Sequence, residues 1–152
     1  MMEAGNKTLK TLFVLSAAAI FFSGAAVLDL RARAKSAWLT AERYSEWQRR
    51  PEIKKLYFHD IYAKKTIALK KSGMAPEKLE KELSGLETEK DFLIHESSAK
   101  YAYIWYKTAS SAFCRPENKW CALAREKLGA AKNSWKTELR SKNIKFEDWM
   151  VD

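Results

Sequence analysis

TLFVLSAAAIFFSGAAVL, Thr11 to Leu28, is a run of eighteen residues without a charge. That is about the length that crosses the ~30 Å hydrocarbon core of a bilayer as a helix. A soluble core helix this long would carry charges along one face, so the stretch divides the chain. Residues 1–10 are a short basic tail, residues 11–30 the expected transmembrane or signal-anchor helix, and residues 31–152 one basic helical domain.

Two membrane readings fit the segment. In one it is an uncleaved anchor. In the other Lys7 and Lys10 open a signal peptide, Leu12 to Phe22 form its apolar centre, and Ser23 and Ala25 mark a cleavage site. The apolar run continues through Leu28 and is followed by Arg31, Arg33 and Lys35. This favours the anchor, because basic residues just after a cleavage site impede translocation. Sidedness is contested by the same residues. The count of flanking cations leans towards a cytoplasmic domain, whereas a short basic tail is what a signal anchor presents when it leaves the domain outside. The expectation is a single-pass membrane protein with its helical domain on the periplasmic, non-cytosolic side.

Beyond the apolar run, composition bounds the class. Residues 31–152 hold 26 Lys+Arg against 17 Asp+Glu, and the chain as a whole carries a net charge of +9. Six Trp, six Tyr and seven Phe supply a core, while five Gly and three Pro are few for a turn-rich β fold. The expected fold is all-α, with the anchor followed by a bundle of about four helices. A basic excess suits anionic partners such as lipid headgroups, although the intermixed Glu also fits plainly solvated helix faces.

Helix by helix, the membrane segment should continue into RARAKSAWLTAERYSEWQRR, where Ala34, Ala37, Trp38, Ala41 and Tyr44 share one face. Trp38 lies about 15 Å past the apolar run, which favours packing over an interfacial anchor. Pro51 opens a second helix reaching about Lys71 and stopping at Ser72 and Gly73. Its expected core arc is Ile53, Leu56, Tyr57, Ile61, Ala63 and Ile67, with Asp60 and Lys64 as an i,i+4 pair. Phe58, Tyr62 and Leu69 lie opposite, as a candidate contact face or as the second face of a central helix. Pro76 begins a helix expected to run to Ala112, with Lys90 the one charge in its apolar stripe; its aromatic end YAYIWY contributes Tyr103 and Tyr106 as interaction candidates. Pro116 opens the last helix, to about Lys142, striped by Cys121, Ala124, Leu128, Ala131 and Trp135. The tail adds Phe146 and Trp149 as docking or partner-binding residues.

Chemistry-bearing patterns are sparse. His59 and His95 each precede an acid, but adjacent helical positions point about 100° apart and make no dyad. Cys114 and Cys121, the only cysteines, have six residues between them, which matches no zinc, haem or thioredoxin-type spacing. They read either as a short disulfide outside the cytosol or as two separate thiols. No Gly-rich phosphate loop, nucleophile elbow or zincin helix occurs. The sequence therefore points to no catalytic residue, no cofactor and no metal. The expected role is a membrane-anchored accessory, scaffold or assembly subunit. Its partners would be the lipid bilayer and other protein subunits of a membrane complex. A basic module for anionic lipid is the alternative, with nucleic acid a weaker candidate than lipid and an exported ligand-binding protein behind both.

Overall fold

No proline interrupts the chain before Pro51, and in the computed structural model Met2–Arg49 is a single helix, α1, of 48 residues. Backbone is described for residues 2–151 and side chains from Leu12 to Val151. Along α1 the environment changes sharply. Large apolar side chains such as Phe13, Phe22 and Leu28 are exposed, and none of the apolar window is buried. From Ala34 onward the helix buries Ala34, Ala37, Ala41 and Trp47 at spacings of three to six. The expected alanine face is therefore the packed one.

Pro51 sits at the first position of α2, Pro51–Lys70, where its missing N–H costs nothing. The helix ends as Lys71 and Ser72 donate to the Ile67 and Leu69 carbonyls, and Gly73 then takes φ +69°, a left-handed conformation that favours glycine. Pro76 starts α3, Pro76–His95. The short link makes α2 and α3 antiparallel neighbours, with Lys65 lying 3.7 Å from Glu89 across them.

The helix expected to run from Pro76 to Ala112 is broken. Glu96 is extended at φ −61°, ψ 145°, and a new helix, α4, covers Ser98–Ser111. The Ser97 hydroxyl accepts the Lys100 N–H at 3.0 Å and thereby caps α4. The last helix differs too. α5 spans Lys119–Ser141, three residues later than Pro116 suggested, because Asn118 is its N-cap: its Oδ1 accepts the N–H groups of Trp120 at 3.1 Å and Cys121 at 3.4 Å. A 3-10 turn, Asp148–Val151, follows. The described residues thus form an all-α chain.

Contacts divide the chain into two units: residues through Thr40 with Ile104–Gly129, and Ala41–Tyr103 with Ala130–Asp152. In the first, buried Ala34, Ala37, Ala109 and Ala124 permit close helix approach, and Tyr106 and Cys121 fill the interior. Trp38 of α1 packs on Trp120 of α5 with ring centroids 5.1 Å apart, so packing is its role. In the second unit, Trp47, Phe58 and Tyr62 form the core, joined by Ile53, Ile61, Leu86 and Leu93. This corrects part of the expected core arc of α2, of which Ile53 and Ile61 do pack inward. Leu56, at 68% exposure, and Ile67 point away from the core, which is instead centred on Phe58 and Tyr62. Large rings remove more apolar surface from water than the aliphatic arc does, and Trp47 offers them edge and face contacts, with its centroid 5.5 Å from that of Phe58.

Candidate functional site

The second unit holds a cleft of about 410 Å³. It forms where α3 stops, α4 starts and the later turns of α5 pass, so the α3–α4 break creates it. Trp47, Lys54, Glu96, Ser97, Ser134 and Glu138 are among its walls. Lys54 is only 4% exposed, and its ammonium donates to the Glu96 carbonyl at 2.5 Å. Burial pushes its pKa down, against the opposing pull of Glu96 and Glu138. The Ser97 hydroxyl donates to Glu138 Oε2 at 2.5 Å, while Lys142 donates to the other oxygen of that carboxylate.

Tyrosines line up behind Glu96. A hydrogen bond to the Glu96 carboxylate, with burial adding to it, raises the Tyr101 phenol to about 12. Tyr44 stacks on Tyr101 with centroids 5.1 Å apart; burial, then the Glu96 charge, raises its pKa as well. A carboxylate is too weak a base to activate the Ser97 hydroxyl. The network is suited to fastening: it joins the start of α4 to α5 and the start of α2 to the end of α3.

In the first unit, Cys114 and Cys121 are at bonding distance, with sulfurs 2.07 Å and Cα atoms 5.7 Å apart. The alternative of two separate thiols is thereby set aside. Asn118 Nδ2 donates to the Phe113 carbonyl at 3.4 Å, so one asparagine both caps α5 and ties the connecting loop. Phe113–Cys121 is a clipped corner between helices.

The residues expected on a contact surface separate into two groups. Phe58, Tyr62, Tyr103 and Tyr106 are buried within the chain, so for Phe58 and Tyr62 the second face of a central helix holds and not the contact face, and Tyr103 and Tyr106 offer no exposed contact surface. Phe58 and Tyr62 belong to the Trp47 cluster, Tyr103 stacks on Trp135 at 5.6 Å, and Tyr106 is interior to the first unit. Leu69 is half-buried. Phe146 is half-buried, with the Arg140 guanidinium 5.8 Å from its ring. Trp149 stays 71% exposed although the tail docks, because docking runs through buried Val151 and the Lys136–Asp148 pair at 2.6 Å. Asp60 and Lys64 pair on the surface at 2.6 Å, and Lys90, buried in its stripe, pairs with Glu87. Both histidines are exposed. His95 Nδ1 meets the Asp91 carbonyl at 2.7 Å rather than its carboxylate. No cluster of three metal-ligating side chains occurs among the described residues.

Sequence reasoning passed over Trp47, Lys54 and Ser97. The i, i+4, i+8 spacing of Lys54, Phe58 and Tyr62 along α2 was a usable signal for Lys54; nothing near Ser97 advertised a break. No family model, curated protein or solved structure matches the chain.

Proposed function

We propose that this chain is a membrane-anchored helical accessory or assembly subunit that works through protein contacts. The observation that carries the reading is the apolar length of α1, long enough to cross a bilayer and unburied along its whole apolar window. Such a surface in water would be far larger than the patches single-chain soluble proteins leave exposed, and a lipid environment covers it. Support for contacts comes from Leu56 and Ile67 on α2 and from Phe92 on α3, apolar side chains in the second unit that the chain's own packing leaves exposed. The Cys114–Cys121 pair suits an oxidising compartment, so we place the helical domain on the non-cytosolic side.

Extraction in mild detergent tests the reading. The wild-type chain should comigrate with stoichiometric protein subunits, and Leu56→Glu with Ile67→Glu should release them without loss of helix content. Recovery of the wild type as a lone monomer refutes it. Thiol labelling in sealed and opened membranes, with and without reductant, reads the sidedness.

A further inference from the structure

Lys54 is a buried cation without a counter-ion. It is only 4% exposed, and a lysine at that depth is ordinarily paired with a carboxylate. Here its hydrogen bond goes to the neutral Glu96 carbonyl at 2.5 Å, and the salt bridges among the described residues of the second unit do not include it. An ammonium has three donors, so capacity for further acceptors remains. The Glu96 and Glu138 carboxylates favour its charged form, yet burial outweighs them and the pKa falls. Their charges therefore do not replace the hydration that the ammonium has lost. Both carboxylates are engaged elsewhere, Glu138 by Ser97 and Lys142 and Glu96 by Tyr101.

The cleft of about 410 Å³ gives Lys54 room for a partner, since the side chain lines it. The carbonyl that Lys54 reaches stands two residues before the start of α4, and that helix end also lacks an acceptor. The first four N–H groups of a helix have no partner inside it. The Ser97 hydroxyl takes that of Lys100 at 3.0 Å and the Ser97 carbonyl that of Tyr101 at 3.3 Å. Ser98, half-buried on the cleft wall, keeps its N–H and its hydroxyl free.

Charge and lining restrict what fits. Lys54, Lys55 and Lys142 against Glu96 and Glu138 leave a surplus of one positive charge at the cleft, which suits a monoanion better than a phosphate dianion. Trp47, Pro51 and Ile94 supply an apolar wall, and the volume is at the lower end for ligand pockets.

We infer that this cleft is a binding site for a small organic monocarboxylate with an apolar body. The carboxylate oxygens accept from the Lys54 ammonium and from the Ser98 N–H and hydroxyl at the positive end of α4, while the body lies along Trp47 and Ile94. The site is contained in the second unit and does not depend on anchoring by α1.

The test titrates the full chain in detergent micelles with phenylacetate and follows backbone amides by NMR. The Ser98 amide proton should move downfield and saturate in the millimolar range, with Gly85 and Gly129 unmoved. Lys54→Met keeps side-chain length without charge and should weaken binding at least about tenfold. Ser98→Pro, at a first helical position that suits proline, removes both Ser98 donors and should also weaken it, read at Ala99. Lys55→Gln should change affinity by less than about threefold, because an exposed cation contributes little. N-acetylphenylalanine separates two sources of the same group: tighter binding than phenylacetate assigns the site to a polypeptide C-terminus, weaker binding to a free acid, and either supports a carboxylate site. Absence of a saturable Ser98 shift up to about 50 mM phenylacetate overturns the inference, since even a modest ligand of this size saturates by then. So does equal binding of phenylacetamide, which would mean an apolar groove alone, or displacement of phenylacetate by an equal concentration of inorganic phosphate, which would mean an unselective anion site. Unchanged affinity in both Lys54→Met and Ser98→Pro overturns it as well.

Discussion

Replacing Ser97 by Ala removes two interactions at once. The hydroxyl caps α4 through Lys100 N–H and donates to the Glu138 carboxylate. Loss of an N-cap costs about 1 kcal/mol, and a hydrogen bond to a charged group contributes about 1.5–3 kcal/mol. Glu138 keeps Lys142, so the second loss falls at the low end and Ser97→Ala should cost about 2–3 kcal/mol. For a chain of this size that is a fall of about 5–10 °C in Tm, read by near-ultraviolet circular dichroism of the full chain in detergent. Ser97→Thr preserves both bonds and should stay within about 1 kcal/mol of the wild type. Ser97→Asp keeps the cap but sets two carboxylates against each other, and should be worse than Ala. A double-mutant cycle with Glu138→Gln should return a coupling of at least about 1 kcal/mol. A Ser97→Ala variant within about 0.5 kcal/mol of the wild type, or a cycle with no coupling, refutes the reasoning and removes the explanation for the break between α3 and α4.

Reducing the Cys114–Cys121 bond, which closes a loop with a sequence separation of 7, should cost about 2 kcal/mol; unfolding with and without reductant measures it, and the start of α5 should show the largest rise in hydrogen exchange. Spectrophotometric titration should show Tyr101 ionising near 12 and, after Glu96→Gln, closer to 10. With the folded pKa raised, the folded state holds its proton longer than the unfolded state does. The stabilising contribution is therefore complete below pH 10 and is lost as pH rises through 12, which denaturant melts at pH 9 and 11.5 detect. In the tail, Val151→Asp should cost about 2 kcal/mol or more, since it buries an unpaired charge at a site 1% exposed. Trp149→Ala, on an exposed side chain, should change stability by less than about 0.5 kcal/mol.

Much of the architecture was legible because its signals are local. Eighteen uncharged residues, the alanine face after them, the prolines that open α2 and α3, and Gly73 after α2 each act through backbone geometry or burial period within a few residues. Where two local answers were equally good, long-range contacts chose. α2 has an aliphatic face and an aromatic face; the rings of Phe58 and Tyr62 went inward because Trp47, Leu86 and Leu93 present a surface that fits them. Pro116 and Asn118 both suit a helix start, and Asn118 took it with a side chain that also reaches the Phe113 carbonyl. Whether two cysteines seven positions apart bond depends on how that loop turns.

By itself the sequence determined an all-α chain, a helix able to span a bilayer and a basic portion beyond it, since these depend on hydrophobicity, charge and backbone preference at neighbouring residues. Only the tertiary structure decided that the helix after Pro76 stops at Glu96 and that Lys54 lies buried in the cleft this break creates. The reason is distance along the chain. Ser97 finds its carboxylate 41 residues away and Lys54 its carbonyl 42 residues away, and no periodicity within a single helix records such partners.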